Sequence, residues 1–133
     1  MKKRILVVDD EPEFTSLLKL SLESHGYYEV REENDAESVR AAAREFDPDL
    51  VVLDIMMPKL EGNEVAASLR ADPMTRDVPI LFLTALVSQE DAPLGACSSG
   101  GNTFLPKDIR LDKLMRCIED KIDRRQAAAV AAR

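Results

Sequence analysis

Short apolar runs alternate along this chain with stretches in which apolar residues recur at helical spacing, and four of the runs end in chemistry-bearing side chains. These four are Ile5-Leu6-Val7-Val8-Asp9-Asp10, Leu50-Val51-Val52-Leu53-Asp54, Ile80-Leu81-Phe82-Leu83-Thr84 and Thr103-Phe104-Leu105-Pro106-Lys107. Such alternation predicts βαβ units. Strands are expected over 4–9, 49–54, 79–83 and 103–106, with an edge-like strand over 27–30. A first helix starts at Pro12, carries Phe14, Leu17, Leu18, Leu22 and His25, and stops at Gly26. His25 is read as a surface residue at the helix end, since there is no second histidine to share a metal. Asn34 with Glu37 forms a capping pair for a second helix through Ala36, Val39, Ala43 and Phe46, ended by Asp47-Pro48. After a loop from Pro58 to Gly62, Val65, Ala66 and Leu69 mark a third helix closed by Asp72-Pro73. A short, poorly formed fourth helix is expected within 86–102, where Pro93, Gly95, Gly100 and Gly101 interrupt any period. Leu111, Leu114, Met115, Ile118 and Ile122 give an amphipathic last helix.

Five strands and five helices joined by right-handed crossovers make an α/β fold with a doubly wound parallel sheet, order 2-1-3-4-5. Its switch point lies between the first and third strands, where Asp9, Asp10 and Asp54 meet. Residues 1–123 form one domain, and the alanine-rich segment 124–133 either extends the last helix or is disordered.

Ligands bind at the carboxyl edge of such a sheet. Three carboxylates crowded there repel one another, and a hard divalent cation relieves this. Mg²⁺ suits one or two carboxylates completed by water and phosphate oxygens. Asp9, Asp10 and Asp54 are therefore read as a magnesium site completed by a phosphoryl group. Asp54 ends the most apolar strand and is the candidate acceptor. Thr84 and Lys107 offer a hydroxyl and a mobile ammonium to phosphoryl oxygens. The plain alternative, that Asp10-Glu11-Pro12 is only a helix cap, is adopted for Glu11 alone. The net charge of −7 and pI of about 4.8 argue against nucleic acid as a direct partner, which needs a basic face. Cys97 and Cys117 have no metal-type spacing and are read as thiols of a reducing compartment. No apolar run reaches the length of a signal core or a membrane span, so a cytoplasmic chain without a membrane partner is expected.

From Val7-Val8-Asp9-Asp10 to the last helix, the chain resembles a response-regulator receiver domain of bacterial two-component signalling, which implies a flavodoxin-like, CheY-like fold. Asp54-Ile55-Met56-Met57-Pro58-Lys59-Leu60-Glu61-Gly62 is very similar to that family's phosphoacceptor loop. The resemblance implies that Asp54 is phosphorylated by a phosphohistidine on a histidine kinase or phosphotransfer protein. It implies that Asp10 and the Met56 carbonyl hold magnesium directly, and that Asp9 supports the metal through water. Thr84 and Lys107 would hold the phosphoryl oxygens, and Phe104 would be the switch aromatic that turns inward with Thr84. Output would pass through the surface of the fourth helix, fifth strand and last helix to a protein target, with the chain a monomer or a weak homodimer through that same face. Met56 and Leu86, two residues beyond Asp54 and Thr84, are expected to exclude attacking water and prolong the phosphoryl group's life. The chain would catalyse only its own phosphoryl transfer and dephosphorylation, and no output domain is visible.

One position departs from the family pattern. The active-site lysine is usually followed by a proline in a cis bond, whereas Lys107 precedes Asp108 and follows Pro106. Either a costly non-proline cis bond persists or the loop takes another path. Asp108 could also cap the last helix. This departure is the one feature favouring a pseudo-receiver, a phosphorylation-independent interaction module. A freestanding phosphohydrolase would want a second acid close after the nucleophile, and Ile55-Met56-Met57 supplies none. A dinucleotide site is excluded because no GxGxxG follows the first strand.

Overall fold

Strands as apolar as Leu50–Leu53 must be covered on both faces, which a parallel sheet between two helical layers achieves. A computed structural model of the chain describes residues 2–54, 62–85, 97–99 and 102–131. Its strands are β1 (Lys3–Val8), β2 (Tyr28–Glu33), β3 (Leu50–Asp54), β4 (Ile80–Thr84), β5 (Cys97–Ser99) and β6 (Asn102–Pro106), in one sheet of order β2-β1-β3-β4-β6-β5. All pairings are parallel except that of β5 with β6. The five expected strands thus lie in the order 2-1-3-4-5, with one short antiparallel strand added at the edge. The α-helices among the described residues are α1 (Pro12–Glu23), α2 (Val39–Phe46), α3 (Gly62–Ala71) and α4 (Leu111–Ala131).

Two apolar clusters fill the layers. Leu6, Val8, Val51, Leu53, Ile80 and Phe82 face Val39, Ala43, Val65 and Leu69 of α2 and α3. Ile5, Val7, Leu50, Val52, Leu81 and Leu105 face Leu18 and Leu22 of α1 and Leu114, Ile118 and Ile122 of α4. Side chains two apart share a face. Asp54 therefore follows Val52, and Asp9 and Lys107 follow Val7 and Leu105, onto the α1–α4 side. Thr84 follows Phe82 onto the other side.

Several expectations need correction. β2 runs to Glu33, because an edge strand needs little apolar alternation and Glu32 is held by the Thr15 hydroxyl at 2.7 Å. The cap before α2 is Asp35, which accepts from the Glu37 N–H at 3.1 Å and opens a 3₁₀ turn over Ala36–Ser38. Asn34 instead donates to the Asp9 carbonyl at 2.8 Å and the Thr15 hydroxyl at 3.0 Å. Asp47 does end α2, in the left-handed region at φ 51°, which Asp tolerates better than most residues. Of the expected fourth helix, residues 86–96, 100 and 101 lie outside the described residues, while 97–99 and 102 are strand. Gly95, Gly100 and Gly101 are poor helix formers by sequence. Residues 58–61 of the expected loop also lie outside the described residues, and Gly62 opens α3. The tail continues α4 as far as Ala131.

Two polar anchors hold helices in place, one against the sheet and one between α2 and the segment after α3. Glu119 of α4 accepts from Tyr28 Oη at 2.7 Å and from Lys3 Nζ, tying α4 to β1 and β2. Asp72, fully buried after α3, accepts from Arg44 at 2.6 Å, Arg40 at 3.2 Å and the Met74 N–H at 3.0 Å. Arg44 and then the Met74 N–H hold the Asp72 carboxyl well below the usual carboxylate range against burial, and Arg40 adds to them. A lowered folded pKa contributes stability that is present above the ordinary value near 3.8 and lost as pH falls through the folded value. In urea unfolding, Asp72→Asn is expected to be less stable than wild type by a constant margin between about pH 7 and 5. That margin should shrink below about pH 4. A margin that persists unchanged into strong acid would show that the carboxylate charge is not what holds α2.

Candidate functional site

The parallel ladder carries the site past the formal strand ends. Asp9 N–H donates to the Glu33 carbonyl at 3.2 Å, and Lys107 N–H donates to the Thr84 carbonyl at 3.0 Å. Asp9 Oδ1 then accepts from the Glu11 N–H at 3.0 Å, and Asn34 holds the Asp9 carbonyl, so the acid turn is fixed from two sides. Asp9, Asp54 and Thr84 are buried, and Asp10 opens to solvent at the mouth. Asp9, Asp10 and Asp54 can each offer one oxygen such that all three lie within 4.8 Å of one another.

Lys107 enters this cluster. Its Nζ lies 2.7 Å from Asp9 Oδ2, 3.5 Å from Asp54 Oδ2 and 3.4 Å from Glu11 Oε1. It also sits 4.9 Å from the centre of the Phe14 ring. No peptide bond among the described residues is cis. The Lys107–Asp108 bond is therefore trans, so the loop takes the second of the two paths open to it and the ammonium still reaches the acids. α4 begins at Leu111, with Leu114 N–H bonded to the Arg110 carbonyl, which puts Arg110 at the residue before the helix.

Burial pushes the Asp9 carboxyl up to about 6; Lys107 and the Glu11 N–H oppose that rise, and the Asp54 charge adds to it. Burial works against the Lys107 ammonium, but Asp9, then Asp54 and Glu11, raise its pKa overall. Among the described residues, Asp9 Oδ2 is fully buried without a well-directed hydrogen bond, with the Lys107 ammonium 2.7 Å away. A hard cation with oxygen ligands fits this donor set, since the carboxylates converge and one buried oxygen retains acceptor capacity.

Phe104 is half-buried and stacks on Phe82, ring centres 5.0 Å apart. Both rings lie on the face that Thr84 shares. Met56 and Leu86 lie outside the described residues. His25 is exposed at the end of α1, its ring nitrogen 3.1 Å from the Ser21 carbonyl. Sequence reasoning missed Asn34 as a support of the acid turn. An amide next to an acidic residue before a helix looks like a cap, and only the register of β1 against β2 brings it to Asp9.

A family model described as "Response regulator receiver domain" matches residues 5–119. RpaA of Synechocystis, a DNA-binding dual master transcriptional regulator, is 36% identical over 129 residues, 95% of this chain and 53% of its own length. The chain spans about half, or less, of the length of the curated relatives it matches. A Francisella response-regulator receiver domain has TM-score 0.74 at 26% identity, covering 92% of this chain and 98% of its own. The receiver domain of a Pseudomonas aeruginosa sensor histidine kinase, with a magnesium ion coordinated in its active-site cleft, has TM-score 0.74 at 25% identity. It covers 92% of this chain and 99% of its own.

Removing the ammonium leaves two buried carboxylates facing each other. Lys107→Ala is expected to lower unfolding stability at neutral pH by about 2 kcal/mol. Adding Asp9→Asn to that variant should recover more than half of the loss. Additive losses in chemical denaturation would mean that Lys107 does not neutralise Asp9.

Proposed function

The chain belongs to the response-regulator receiver family, and from that premise we propose that Asp54 accepts a phosphoryl group from a histidine kinase or phosphotransfer protein in a Mg²⁺-dependent reaction. The observation that carries this reading is the convergence of Asp9, Asp10 and Asp54 with the Lys107 ammonium at one strand edge. Asp10 and Asp54 would hold the metal with the Met56 carbonyl, and Asp9 would support it through water. Magnesium there would neutralise charge on the phosphoryl oxygens. An Asp54 oxygen forms the new O–P bond as the donor's N–P bond breaks. Lys107 and the Thr84 hydroxyl then take the phosphoryl oxygens.

Thr84 and Phe104 are the proposed switch. Thr84 ends the strand that carries Phe82, on which Phe104 stacks. A pull on the hydroxyl acts on the same face as that aromatic pair, and through it on the output surface. The kinase or phosphotransfer partner would dock on α1, where Leu17 and Leu20 are 64% and 69% exposed. A groove rimmed by Phe14, Leu17, Ile109 and Leu111 leads from there to Lys107.

We read residues 1–123 as the receiver and 124–133 as a tail, acting in the cytoplasm through a protein target; no helix among the described residues is long and apolar enough to cross a membrane. RpaA's DNA binding makes a regulator of transcription one candidate setting. Net charge argues against this chain touching DNA directly. Beyond its own phosphoryl transfer and dephosphorylation the chain has no proposed enzymatic activity. The pseudo-receiver alternative drew on the missing proline after Lys107, and the 2.7 Å approach of Lys107 to Asp9 counts against it.

Incubation with a small phosphodonor and Mg²⁺, followed by intact mass, tests the reading. One phosphoryl group should be gained by wild type, none by Asp54→Ala, and none by wild type in excess chelator. A gain that survives Asp54→Ala would move the acceptor elsewhere, and no gain at all would restore the pseudo-receiver.

A further inference from the structure

Glu11 occupies the N-cap position of α1, where an acid is ordinarily explained by the helix it precedes. Its side chain makes no capping hydrogen bond. The helix start draws on other groups. Asp9 Oδ1 takes the Glu11 N–H, Pro12 needs no N–H partner, and the Phe14 and Thr15 N–H groups bond to the Glu11 carbonyl at 3.1 and 3.2 Å. The Glu11 carboxylate is left to face Lys107 at 3.4 Å, 66% exposed.

Lys107 thus stands between two sets of partners. Asp9 and Asp54 lie on the buried side, while Glu11 and the Phe14 ring lie on the open side. An ammonium and a divalent cation repel each other and compete for the same carboxylate oxygens. A cation entering among Asp9, Asp10 and Asp54 must therefore displace Lys107 from Asp9. Glu11, still hydrated, accepts the displaced charge at little desolvation cost, and the ring face supports it.

We infer that Glu11 is a positioning residue for Lys107: it is the outer seat to which the ammonium withdraws when a hydrated divalent cation takes its place among the three aspartates. This inference rests on reading the three aspartates as a magnesium site. It gives the acid at position 11 a role in cation binding, separate from helix capping.

The test is a double-mutant cycle read by amide chemical shifts during Mg²⁺ titration of wild type, Glu11→Gln, Lys107→Ala and the double variant. The spectra themselves report that each variant is folded. Glu11→Gln is expected to weaken Mg²⁺ affinity about threefold when Lys107 is present, the scale of an exposed ion pair. It should leave affinity unchanged in the Lys107→Ala background. Equal weakening in both backgrounds would make Glu11 a plain through-space attraction for the cation and overturn the inference alone. So would the absence of any effect of Glu11→Gln. No Mg²⁺-dependent shift in wild type would overturn both the inference and the metal-site reading beneath it.

Discussion

Two buried carboxylates on adjacent strands, answered by one ammonium from a third, are the constraint around which this edge of the sheet is organised. Asp9 and Asp54 cannot both stay charged in an apolar setting without a cation between them. In the chain's own terms that cation is Lys107. The requirement explains why the β1 ladder continues one residue past its end to fix Asp9 and why Asn34 braces that turn. It also explains why the loop after β6 must return its lysine inward whatever its peptide geometry. The site is an electrostatic balance in which one ammonium answers two buried acids.

The sequence made the strand ends legible because a polar residue closing an all-apolar run has few structural explanations. Asp9, Asp54, Thr84 and Lys107 each close such a run, and the fold brings them to one edge. The parts that were not legible depend on partners distant in the chain. The extension of β2 through Arg31, Glu32 and Glu33 rests on pairing with Leu6, Val7 and Val8 of β1, since its side chains do not alternate. Asn34 and Asp35 are both plausible caps, and only the path of the backbone decides between them. Glu11 sits in a position with a ready local explanation, and the absence of the capping bond is visible only in three dimensions.

The path after β6 shows how a local rule can be broken without losing its purpose. The family resemblance ties the lysine's aim to a proline that follows it. Here a trans bond to Asp108 delivers Nζ to the same acids. The main-chain bond from Lys107 to Thr84 keeps the residue in register with β4. Register together with the charge of Asp9 is sufficient to aim a flexible side chain.

The proline that precedes the lysine has a consequence of a different kind. β6 pairs with β4 on one side, and on the other β5 pairs only with Asn102, Thr103 and Phe104. An exposed parallel strand would be a template for adding a strand from another molecule. Pro106 ends β6 without an N–H to offer, and the short antiparallel β5 occupies the stretch before it. Pro106 therefore leaves β6 without a donor on its β5 side, next to the edge that carries Asp9 and Asp54. At this end of the sheet β6 itself therefore offers little to continuous β-pairing between copies.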